Sequence, residues 1–411
     1  MHYEITEFYT GLTAILSPVP ETPRMALAVV IKGGISREPV PGMAKLANRL
    51  LLKGTETRSA EALAYELDAR AIDLHEITLA DCSVLLASFL NRELHVALEI
   101  LEDILFHSTF ADFEKERTKL MGEVRASLDM PAEQAQDLLI RTLFAGHPYG
   151  NTGTRLLEEA QILDQDGTQQ WFLDMLNPRE MNITLVGDFA HDEVLPTLDD
   201  TFADLIARAP ALPIPAVKPL PVERLVTQPR PDAQQAQIYQ GWLAPAVGST
   251  EQAAMAVMNT ILGSSGLSSR LFSELRDKQG LAYSVHSQYV PMRQVGDFIV
   301  SIGTSPENIA KARNGFAEQI TRMQNEPVTL SELEQAKGKL RGTFVLSHET
   351  NRQRCMDMAI NQLNGLGPEY SAQLLERIEG VTTDEVLAAA QRIAPPSVTA
   401  IVAREDALPI E

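Results

Sequence analysis

Two α+β halves of similar build, joined by a proline-rich linker, are the architecture this sequence predicts, and three observations predict it. The stretch "APALPIPAVKPLPVERLVTQPRP" at 209–231 is dense in proline and has almost no helical periodicity, so it reads as an extended, stiff linker. It divides the 411 residues into two portions of similar length, 1–208 and 232–411. The two portions then repeat the same series of elements at an offset of about 210 residues, which is the signature of an internal duplication.

The series opens with a β-rich run in each half, "MALAVVIKGG" at 25–34 and "AQIYQGWLA" at 236–244. An apolar-periodic helix follows, over 42–54 in the first half and 251–263 in the second. Alternating segments at 72–78 and 82–89 correspond to 281–289 and 296–304, and helices then cover 91–107 and 306–323. Each half closes on a strand, 181–188 and 397–405. The strands are separated by helical hairpins rather than by single crossover helices. Mostly antiparallel sheets covered by helices are therefore expected.

Composition narrows the function. With 55 acidic against 35 basic side chains the chain carries a net charge of −20, which repels a phosphate backbone and argues against nucleic-acid binding while suiting basic peptides. Cys82 and Cys355 lie far apart in apolar surroundings, so neither a disulfide framework nor a thiolate zinc site is indicated. No apolar run reaches the ~18 residues needed to cross a bilayer, and "MHYEITEFYTGL" lacks the basic-then-apolar order of a signal peptide. A cytoplasmic protein is expected.

The helix in "PGMAKLANRLLLKGT" (41–55) holds the chemical question. Positions 45, 48 and 49 fall at i, i+3 and i+4, so they share one helical face. Two histidines and a glutamate so spaced would bind zinc and supply a base for attack of water on a peptide bond. Here the residues are Lys45, Asn48 and Arg49, and neither cation offers a lone pair to a metal at neutral pH. The eight histidines show no HxH, HxxH or HxxxH spacing. From spacing alone, Lys45 and Arg49 read equally as a solvated helix face.

Four stretches, "GMAKLANRLLLKGT", "FEKERTKLMGEVRASLDMP" (113–131), "FAGHPYGNTGT" (144–154) and "SSRLFSELRDKQGLAYSVHSQ" (268–288), together resemble the insulinase/pitrilysin zinc metallopeptidases, which include the mitochondrial processing peptidase and the cytochrome bc1 core subunits. The resemblance implies a duplicated clamshell. It also implies that Lys45, Asn48 and Arg49 stand where an inverted HxxEH motif would hold zinc, and that Glu123, with Glu116 seven residues before it, stands at the family's downstream glutamates. Two cations facing these carboxylates would fill the vacated site as ion pairs.

In "LRDKQGLAY", Arg276 and Tyr283 match a family pair that contacts substrate near the scissile bond. Read without the resemblance, Arg276 is simply a cation in a helix's last turn and Tyr283 begins a strand after a Gly280 helix stop. The resemblance implies a noncatalytic subunit like the processing peptidase's alpha chain: no cofactor in this chain, zinc in an HxxEH-bearing partner of similar size, peptides as substrates, and no nucleic-acid or membrane partner. The alternative is a structural or peptide-binding protein without a peptidase partner, like the respiratory core subunits. "GSSGLSS" (263–269) lacks a phosphate-loop lysine and reads as a joint, His147 as structural, and Met255 and Met258 as core.

Overall fold

The computed structural model describes residues 2–20, 22–209 and 213–409. It contains two open sheets. The first is built from β1 (Glu4–Glu7), β2 (Thr13–Pro18), β3 (Arg24–Lys32), β4 (Asp73–Thr78), β5 (Cys82–Leu90) and β6 (Met181–Gly187), in the order β1-β2-β6-β3-β5-β4. The second is built from β7 (Arg224–Pro229), β8 (Ala236–Ala244), β9 (Ala282–Val290), β10 (Gly296–Thr304) and β11 (Val398–Ala403), in the order β7-β11-β8-β10-β9. Every pairing is antiparallel except β2 with β6 and β7 with β11, which are parallel and equivalent in the two sheets. The α+β class and the duplication are present, and β1 is the addition peculiar to the first sheet.

The central strand β3 is buried at every position from Met25 to Ile31, so both faces of the first sheet must be covered. One cover is the helix Asn351–Leu363, whose Cys355, Met358 and Ala359 pack with Ala26, Ala28, Val30, Val84 and Leu86. Polar pins fix it there: Asn182 Nδ2 donates to the Ala359 carbonyl at 2.9 Å and Cys355 Sγ to the Thr184 carbonyl at 3.1 Å. Both cysteines are buried free thiols.

In the second sheet, Ile238, Trp242, Phe298, Val300 and Ile302 face Met255, Met258, Phe316 and Val386. On its other side the helix Pro131–Leu143 lies against β8 and β11. It comes so close that a Cβ at Gly241 would sit 3.0 Å from Leu139 Cδ2.

The compact units are accordingly not contiguous in sequence. One comprises Met1–Glu123, Arg155–Ile214 and Leu346–Ser371; the other comprises Val124–Thr154, Pro215–Val345 and Ala372–Glu411. The expected boundaries at 208 and 232 thus miss an exchange of helices, which an amphipathic pattern does not reveal because it states that a face is buried and not against what. The linker expected over 209–231 also differs. Arg224–Pro229 is strand β7, paired with β11, while 210–212 fall outside the described residues.

The expected helix over 251–263 is α-helical only over Gln252–Asn259 and turns π-helical over Thr260–Ser264. The cause is local. Ser287 Oγ donates to the Asn259 carbonyl at 3.1 Å and to its Oδ1 at 2.7 Å, and a Cβ at Gly263 would lie 2.4 Å from the Ser287 nitrogen.

One buried group works against stability at neutral pH. Asp297 in β10 is 4% exposed, its Oδ1 has no hydrogen-bond partner among the described residues, and burial pushes its carboxyl up from 3.8 to about 7. A raised folded-state pKa contributes stability that is complete below the unfolded value and is lost as pH rises through about 7. Chemical unfolding from pH 4 to 8 should therefore show this decline in the wild type and a flatter profile in Asp297→Asn. At pH 8 that variant should be the more stable, by roughly 4 kcal/mol.

Candidate functional site

The helix Met43–Leu50 starts at Gly42, whose φ of +91° and close approach to Leu156 require glycine. Glu38 caps it: its carboxylate accepts from the Gly42 and Ala44 amides at 3.0 and 3.2 Å, placing negative charge at the positive end of the helix dipole. The helix is thus built and capped normally. Its side chains are engaged in other ways.

Asn48, 2% exposed, donates through Nδ2 to Thr78 Oγ1 at 2.6 Å and Ser83 Oγ at 2.9 Å, tying the helix to β4 and β5. Arg49 pairs with Glu123 on the helix Phe113–Leu128. Its hydrogen bond holds the Glu123 carboxyl below the usual range against partial desolvation, with the charges of Arg49, Lys119 and Lys45 adding to the effect. Lys45 itself is exposed.

A second rung escaped the sequence reading. Lys53, just past the helix, lies 3.3 Å from Glu116, which is only 3% exposed. The cations advance from 49 to 53 while the carboxylates step back from 123 to 116, so the two segments run antiparallel, with the carboxylates two turns apart on their helix. The only hint in the sequence was Lys53 four residues beyond Arg49.

This donor set does not fit zinc. The three helical positions present hydrogen-bond donors and cations, and the carboxylates that would complete a metal shell are neutralised by arginine and lysine. Among the described residues, no group of three or more His, Cys, Asp or Glu side chains is gathered to hold a metal ion.

The other predicted pair lies in the second unit. Arg276 sits in the last turn of a π-helical segment, Phe272–Lys278, which packs on β9. The chain reverses at Gly280, φ +62°, where the Leu281 amide donates to the Leu275 carbonyl at 2.9 Å. Arg276 Nη1 donates to the Tyr283 carbonyl at 2.6 Å. Its guanidinium carbon lies 4.5 Å from the Phe272 ring centre and 4.7 Å from that of Tyr283.

The register between β9 and β10 slips at this point: Ala282 faces Thr304 and Ser284 faces Gly303, leaving Tyr283 as the extra residue of a bulge. It is 80% exposed, and its hydroxyl has no hydrogen-bond partner among the described residues. Stacking on the guanidinium thus holds one face of the ring while the phenol remains available to donate. Neither the bulge nor the stacking is visible in a linear pattern.

His147 is buried and accepts at Nδ1 from the Tyr149 amide at 3.1 Å, a capping role, and Met255 and Met258 are core. No helix among the described residues is long and apolar enough to cross a membrane.

Residues 14–155 match the family described as Insulinase (Peptidase family M16), and residues 164–340 match the Peptidase M16 inactive domain. The chain belongs to the M16 family. It is 29% identical over 392 residues to a chain of Mycobacterium tuberculosis named as a zinc protease, covering 93% of this chain and 89% of that one. A Bacillus subtilis chain also named as a zinc protease is 26% identical, with 90% and 92% covered. A crystal structure titled peptidase M16 inactive domain, from Pseudomonas fluorescens, superposes with a TM-score of 0.88 over 98% of both chains at 22% identity. A Helicobacter pylori protease superposes equally well, TM-score 0.88, at 18% identity over 98% of this chain and 99% of that one. These likenesses show the two-sheet M16 fold.

The ion pairs of this M16 chain lead to a metal prediction. Added zinc should leave the melting temperature of the wild type unchanged. The combined Lys45→His, Asn48→Glu, Arg49→His variant, with Glu123 intact, should gain a saturable rise with zinc. Both are read by calorimetry with and without chelator.

Proposed function

We propose that this M16 chain is the noncatalytic, substrate-binding subunit of a zinc metallopeptidase. A second chain of similar size with an intact HxxEH helix supplies the metal and the base. This chain supplies Arg276 and Tyr283. The observation that carries the reading is the contrast between two places in one molecule: the metal helix is closed by Arg49–Glu123 and Lys53–Glu116, while Tyr283 stands exposed on a bulge with a guanidinium at its back.

The chemistry follows from the groups. A phenol aimed at a peptide carbonyl donates a hydrogen bond that strengthens as charge grows on the oxygen in the transition state. The Arg276 guanidinium fixes the ring and retains N–H groups, beyond the one given to Tyr283, that can meet a peptide carbonyl. The net charge of −20 suits basic, extended peptides. The reducing cytoplasm is the compartment proposed, in keeping with two cysteines held as thiols.

The test uses the complex isolated with its HxxEH-bearing chain. Tyr283→Phe should lower kcat for peptide cleavage about 10²-fold without altering assembly. Arg276→Ala should weaken both kcat and KM, because it removes a substrate donor and the support of the tyrosine ring. Dissociation of the complex in either variant, or unchanged cleavage in both, would instead assign the pair a structural role.

A further inference from the structure

At the end of the first sheet remote from Asn48, the beginning of β3 and the end of β5 meet the start of the helix Asn351–Leu363 around a cavity of about 420 Å³. Three arginines line it, Arg24, Arg352 and Arg354, in a chain that is otherwise strongly acidic. Their charges are poorly compensated. Arg352 Nη1 donates to Asp73 at 2.7 Å, but Arg354 spends its Nε and Nη2 on the backbone carbonyls of His348 and Glu349, at 2.7 and 3.0 Å, which carry no charge. Arg24 has no ion pair among the described residues. Among the described residues, Glu349 is the one carboxylate lining the cavity.

The helix that opens into this cavity departs from the usual rule for its end. Thr350 and Gln353 form a capping box, yet the first turn holds no acidic residue. Arg352 and Arg354 stand instead near the positive end of the dipole, where cations are disfavoured. Ser88 also lines the cavity, with its hydroxyl turned away from the solvent-accessible space. Arg24 without an ion pair among the described residues, Arg354 bonded only to neutral carbonyls and a helix start without acids surround one cavity, and all lack the same thing, an anion with several acceptor oxygens.

We propose that this cavity is a binding site for a small molecule bearing a phosphate or carboxylate group. Arg24 and Arg352 would grip the oxyanion through paired N–H donors, a geometry that guanidinium matches and lysine does not. Val19 and Met25 would meet the uncharged part of the ligand. The site lies within one unit and shares no residue with the Arg49–Glu123 pair or with Arg276 and Tyr283, so the inference stands apart from the proposed peptidase role.

The test is calorimetric titration of the full chain with inorganic phosphate and, separately, with the tricarboxylate tricarballylate, at ionic strength held constant with sodium chloride. Wild-type protein should bind at least one of them saturably. Binding of phosphate alone assigns a phosphoryl ligand, and of tricarballylate alone a carboxylate ligand. Arg24→Gln and Arg352→Gln should each weaken binding at least tenfold while leaving the ligand-free melting temperature near that of the wild type. Arg24→Lys, which keeps the charge and loses the fork, should fall between, and Arg404→Gln, in the other unit, should bind as the wild type does. Absence of saturable binding by both probes, or affinity unchanged in Arg24→Gln and Arg352→Gln, would overturn the proposal.

Discussion

A sheet buried on both faces needs two layers of apolar side chains, and in each unit one of those layers comes from the other half of the sequence. The helix Asn351–Leu363 covers β3 and β6, and Pro131–Leu143 covers β8 and β11. Large apolar strands such as β3, buried from Met25 to Ile31, would otherwise expose one face to water. The polar groups on the exchanged helix are chosen to match: Asn182 meets the Ala359 carbonyl and Cys355 the Thr184 carbonyl, so the docking is specific and not merely greasy. With the sheets held in this way, β4 and β9 become edge strands. The two candidate places both sit on those edges, Asn48 tied to Thr78 at the end of β4 and Tyr283 on the bulge of β9.

The duplication explains why the two places differ. Equivalent helices precede equivalent edge strands, but the first carries Lys45, Asn48 and Arg49, whereas the second, at Met255 and Met258, is simply core. In the first unit the polar face is retained and its charges are answered by Glu123 and Glu116. A half-buried arginine with a bonded carboxylate is worth little in net stability, because desolvation offsets the attraction. Removing one partner of the more buried Lys53–Glu116 pair would leave a carboxylate stranded. The pairs thus hold the polar face in shape more than they strengthen it.

Much of this was legible in the sequence, for physical reasons. The strands β8 and β10 fall at 236–244 and 296–304 as their β-branched and aromatic runs indicate, and the i, i+3, i+4 face of the first helix follows from helical geometry alone. The family frame was legible because several motifs agree. The remainder depends on long-range pairing. β7 looks like linker because its partner β11 lies far away in sequence. The bulge at Tyr283 exists only in register with β10, and the π-helical turn before it answers to Ser287. Lys53 lies within the helix expected over 42–54, but its pairing with Glu116 depends on how the helix Phe113–Leu128 packs, which the sequence pattern does not show.

The central claim is that this M16 chain works only in company. The native mass and subunit composition of the protein, isolated from its own cells, test it most directly. The account predicts a complex containing a second chain of about the same size with an intact HxxEH helix and bound zinc. A homogeneous assembly of this chain alone, without zinc and without a second polypeptide, would contradict it.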